Sequence, residues 1–66
     1  MEYILIFTFL TMSGLPDEQM LIMENIDSRK QCLAVAPETI KVWGSLTGIE
    51  MLEVQFMDCM PVGEET

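Results

Sequence analysis

The chain has 66 residues, half of them apolar, and eleven carboxylates against three cations, Arg29, Lys30 and Lys41, for a net charge of −8. A single domain spanning residues 1–66 is all this length supports, and it buries only about 60% of the surface it exposes when unfolded. The acidic balance argues against direct binding to nucleic acid, whose phosphates require cations, and against docking on anionic membranes.

In chain order, Glu2 to Met12 is rich in aromatic and β-branched residues. Both alternating sets of its side chains are apolar: Tyr3, Leu5, Phe7 and Phe9 on one face, Ile4, Ile6, Leu10 and Met12 on the other. This predicts a central strand covered on both sides. The run is about half the length a bilayer requires. Glu2 precedes it, with no Lys or Arg and no small-residue cleavage motif before Pro16, so it reads as a strand, with the apolar core of an export signal as the alternative.

Ser13-Gly14-Leu15-Pro16-Asp17 predicts a turn. Met20 to Met23 predicts a second strand hairpinned to the first, with a helix opening at Pro16 as the competing reading. Asp27 or Ser28 is the expected N-cap of a helix whose stripe runs through Cys32, Val35/Ala36, Ile40 and Trp43. Pro37 interrupts the stripe and predicts one kinked helix or two short ones. Gly44 or Gly48 supplies the stop. Leu52, Val54 and Phe56 alternate with Glu53 and Gln55 and predict a half-buried strand over about 49–57, followed by an acidic tail over 62–66.

The predicted fold is therefore α+β: a small two-layer β-β-α-β domain with a three-stranded sheet in the order 2-1-3 and one kinked or split helix. Strands two and three flank strand one and run parallel to each other, joined by a helical crossover.

This topology brings Cys32, in the first helical turns, and Cys59, after the last strand, to the same sheet edge. A bridge there would close a loop of 27 residues and contribute about 3–4 kcal/mol; two buried thiols are the alternative. The compartment stays open: cytoplasmic, or periplasmic or secreted if the cysteines are bridged.

Site chemistry is sparse. With no histidine, the usual general base and zinc ligand are missing. Ser13, Ser28 and Ser45 have no base to activate them. The Gly44-Ser-Leu-Thr-Gly48 segment lacks the Lys-Ser/Thr of a phosphate loop. These observations predict a non-enzymatic protein with no cofactor, no metal site and no catalytic residue.

The stretch Asn25-Ile-Asp-Ser-Arg-Lys-Gln-Cys-Leu-Ala-Val-Ala36, with Cys59 near the end followed by Met60-Pro61, resembles a group of short uncharacterised bacterial and phage proteins. Their pattern is an apolar N-terminal strand, a Phe-Asp-Ser-x-x-x-Cys-like helix start and a C-terminal Cys. Here Ile26 stands in place of the aromatic. The resemblance implies an α+β fold and the disulfide, and carries no activity.

The surplus of apolar side chains over interior points to a structural or interaction module that forms a homo-oligomer or binds a protein partner. The interface candidates are Tyr3, Leu5, Phe7, Phe9, Met20, Met23, Met51 and Met57. A nucleic-acid mimic that inhibits a host protein is the alternative reading, and an enzyme with an interfacial site the third.

Overall fold

In the computed structural model, residues 2–62 are described; beyond Val62, the acidic tail expected over 62–66 lies outside them. Strand β1 (Tyr3–Thr11) turns back into β2 (Pro16–Met23), helix α1 (Arg29–Thr47) crosses over, and β3 (Met51–Pro61) closes the sheet. The strand order is β2-β1-β3. Both neighbours pair antiparallel to β1, so β2 and β3 run parallel to each other on opposite sides of it. The expected α+β architecture and strand order are those of the molecule.

The hairpin closes tightly. Thr11 N–H donates to the Leu15 carbonyl at 2.9 Å, and Gly14 N–H donates to the Thr11 carbonyl at 2.8 Å. Gly14 takes a φ of +85°, where a β-carbon would be strained. Strand β2 begins at Pro16, four residues earlier than the apolar run Met20–Met23 predicts. The helical reading of Pro16 fails because this segment has a ready-made partner in β1, with an unbroken register from Leu10↔Pro16 to Tyr3↔Met23.

Helix α1 starts at a well-formed cap. Ser28 Oγ accepts from Gln31 N–H at 3.1 Å, while the Gln31 side chain reaches back to accept from Asp27 N–H at 2.7 Å. This is close to a reciprocal capping box, and the Ser-x-x-Gln spacing that encodes it stands in the sequence. The helix then runs unbroken for 19 residues through Pro37 to its C-cap at Gly48, which has a φ of +76°. It is one helix and not two, because Cys32, Ala36, Ile40 and Gly44 present one continuous stripe to the sheet on both sides of the proline.

That stripe covers the inner face of β1. Tyr3, Leu5, Phe7, Phe9, Met23, Ile26, Cys32, Ala36, Ile40 and Cys59 form the core. Trp43 packs edge-on against Phe7 and Phe9, with ring centroids 5.3 and 6.0 Å apart.

Strand β3 departs from its sequence pattern. Register shifts fall between Thr8 and Phe9 and between Leu10 and Thr11. Gln55 and Leu52 are the extra residues of two bulges, and each bulge reverses the facing of the residues on its far side. Leu52, Val54 and Phe56 do not form a buried face: all three are exposed. The inward positions fall to Cys59, which is buried, to Met57 and Met51, which pack at the margin of the core, and to Val54, which pairs with Phe9 and stays 37% exposed.

Candidate functional site

Cross-strand partners in a sheet share a face, so the pairing register defines the surface that α1 leaves bare. One row across it holds Ile22, Ile4 and Met60; the next Met20, Ile6 and Asp58; the next Glu18, Thr8 and Phe56; the last Pro16, Leu10 and Glu53. Seven of these twelve side chains are large and apolar. Met20 and Ile22 are each 60% exposed, Phe56 56% and Met60 44%. On the central strand Ile4, Ile6 and Leu10 are half-buried by their neighbours. The second apolar set of β1 therefore lies open to solvent.

The interface residues expected from the sequence divide accordingly. Tyr3, Leu5, Phe7, Phe9 and Met23 are core side chains beneath α1, and Met51 and Met57 pack against that core. Only Met20 of the eight lies on the bare face. Periodicity separates the two faces of a strand but does not say which one the domain's own helix will cover. Phe56 was hidden from sequence reasoning by the bulge at Gln55, which puts it on the opposite face from Val54.

On each outer strand of the sheet, side chains engage one backbone N–H and one backbone carbonyl. On β2, Asp17 Oδ1 accepts from Glu18 N–H at 2.8 Å, and the Gln19 amide donates to the Met20 carbonyl at 3.3 Å. On β3, Asp58 Oδ1 accepts from Cys59 N–H at 2.8 Å, and Arg29 Nε donates to the Cys59 carbonyl at 3.3 Å. Arg29 also forms an ion pair with Asp58. Its guanidinium is the first cause, and the Cys59 N–H the second, holding the Asp58 carboxyl below the ordinary aspartate range. Strand extension would have to break these contacts, a recognised way of protecting edges.

No family model, curated protein or solved structure matches the chain. The site therefore stands on its own geometry.

Cys32 and Cys59 are bonded beside this edge, with Cα atoms 6.3 Å apart, and both are buried. At the far end of α1 lies a shallow groove of about 380 Å³, lined by Lys41, Gly44, Ser45, Gly48, Ile49, Glu50 and Met51. Gly44 leaves little room there: a β-carbon would lie 2.9 Å from Met51 Cε, the movable end of that side chain, and 3.3 Å from the Ile49 carbonyl oxygen, a tight contact. Among the described residues no three potential metal ligands gather, and no helix is long and apolar enough to cross a membrane.

Proposed function

We infer that this is a non-enzymatic protein-interaction module that self-associates or binds a protein partner through the bare face of its sheet. The observation that carries the reading is the exposure of Met20, Ile22, Phe56 and Met60 around the open side of β1. Contiguous apolar patches on a small domain mark interaction surfaces, and the side-chain contacts on each outer strand favour the face over strand addition as the route of contact. The described carboxylates are spread over the start of the chain (Glu2), β2 (Asp17, Glu18), the loop before α1 (Glu24, Asp27), the helix (Glu38) and the β3 region (Glu50, Glu53, Asp58). That spread favours contact through apolar shape over mimicry of the closely spaced charges of a nucleic acid.

The test combines light scattering with binding of anilinonaphthalene sulfonate. The native protein is expected to enhance the dye's fluorescence, and Ile22→Asp with Phe56→Asp to abolish the enhancement while Trp43 fluorescence still reports cooperative unfolding. A monomer at every concentration that binds no dye would sink the reading.

A further inference from the structure

Resting on that reading, we propose that the bare face docks one amphipathic helix of a different protein, with Lys or Arg on both flanks of the helix's apolar stripe. Size and charge together select this occupant.

Three strands at about 4.8 Å spacing make a platform roughly 14 Å wide, and eight residues of strand make it about 26 Å long. One helix, 10–12 Å in diameter and about 27 Å long over 18 residues, fills that footprint. The molecule already contains the same solution, since α1 of 19 residues covers the opposite face by itself. The platform's outline, about 370 Å² in projection from those dimensions, is close to the ~300 Å² projection of that helix. It suits one helix.

The unpaired charge on the face is one-signed. Glu18 on β2 and Glu53 on β3 stand on opposite sides of β1, beside Thr8 and Leu10. Neither takes part in an ion pair among the described residues, where Arg29–Asp58 is the one such pair. A helix lying along β1 therefore has a carboxylate on each flank.

A second copy cannot answer both carboxylates. In a twofold face-to-face dimer the interface holds only what the face carries, and the one cation that reaches it, Arg29, is committed to Asp58. Glu18 and Glu53 would lose water without gaining a counter-charge. Stacking the face on another copy's α1 would answer one flank only. On the helical wheel Glu38 lies opposite the buried stripe Cys32, Ala36, Ile40 and Gly44, in the centre of the surface that would dock, and the exposed Lys30 and Lys41 both fall on the same side of it.

The experiment uses the full, oxidised protein and two fluorescein-labelled 18-residue helical peptides sharing one Leu/Ala stripe, one flanked by Lys and Arg, the other by Glu. Anisotropy should show the cationic peptide binding at least about tenfold more tightly, with Glu18→Gln/Glu53→Gln weakening it about fivefold to tenfold. Ile22→Asp and Phe56→Asp, tested separately, should each weaken binding at least about tenfold. Those two variants separate docking from general attraction, because each adds negative charge and would tighten a merely electrostatic association. Tighter binding by them overturns the proposal. Equal binding of the two peptides also overturns it, while leaving the bare face as an interaction surface if dye binding persists. Loss of dye binding as well would bring down the underlying reading. Self-association abolished by Phe56→Asp, with neither peptide bound, would assign the face to a second copy instead.

Discussion

Cys59 concentrates more of this molecule's physics than any other residue. Its sulfur is bonded to Cys32, its N–H is held by Asp58, and its carbonyl accepts from Arg29. By the chain-entropy argument, a bridge closing 27 residues contributes about 3–4 kcal/mol. A domain of this size has a total stability of only about 3–10 kcal/mol. Reduction, or the double change Cys32→Ala and Cys59→Ala, is therefore expected to lower the urea midpoint sharply. Trp43 fluorescence follows this directly; a midpoint unchanged by reductant would contradict it. Asp58 makes a separate prediction. Its carboxyl is lowered in the folded state, so the contribution is present above the ordinary aspartate range and is lost as pH falls through the folded value. With the Arg29 and Asp58 side chains 59% and 34% exposed, water and salt screen the pair and the effect is small. Melting temperatures across the acid range should show Asp58→Asn removing part of the decline seen in the native protein, and added salt doing the same.

At the scale of elements, α1 is held by packing more than by its own sequence. Its first turn carries Arg29 and Lys30 and no acid, and its last turn no base, the reverse of what the helix dipole favours. Arg29 is offset by Asp58; Lys30 has no such ion pair among the described residues. Lys30→Glu is expected to stabilise the fold by about 0.3–1 kcal/mol. Pro37 is exposed and removes the N–H that would meet the Leu33 carbonyl. Pro37→Ala should raise stability by roughly 1–3 kcal/mol, since a proline inside a helix costs about 3. Denaturant titration of each variant measures both effects. A destabilised Pro37→Ala would mean that the helix needs the proline's geometry to follow the twisted sheet.

Across the whole molecule the arrangement is asymmetric. One layer of helix serves a sheet that is apolar on both faces, and the cations Arg29, Lys30 and Lys41 all belong to the helix. With Glu38 the helix sums to +3 − 1 = +2, leaving the other ten carboxylates, and −10, for the rest of the chain. The bare face is therefore apolar at its centre and acidic at its flanks, and each outer strand has an N–H and a carbonyl engaged by side chains. This is the physical basis for expecting dye binding by the native protein and selectivity for a cationic helix.

Local chemistry was enough to determine much of this. The doubly apolar run of β1 predicts a central strand, the Ser28 cap and Gly48 stop bound the helix, and the order 2-1-3 comes from a hairpin plus a crossover. The Cys32–Cys59 pairing rests on the same topology. Three features depended on the folded chain. Which apolar set of β1 is buried depends on which side α1 crosses, and a strand with two similar faces does not encode that choice. The faces of β3 depend on the bulges at Gln55 and Leu52, which arise from pairing with a twisted neighbour and have no marker in the alternation of Leu52, Val54 and Phe56. Whether Pro37 divides the helix depends on the continuous inner stripe Cys32, Ala36, Ile40 and Gly44, whose burial outweighs one missing hydrogen bond. In each case the deciding energy comes from contacts between residues distant in sequence, and those exist only once the layers have met.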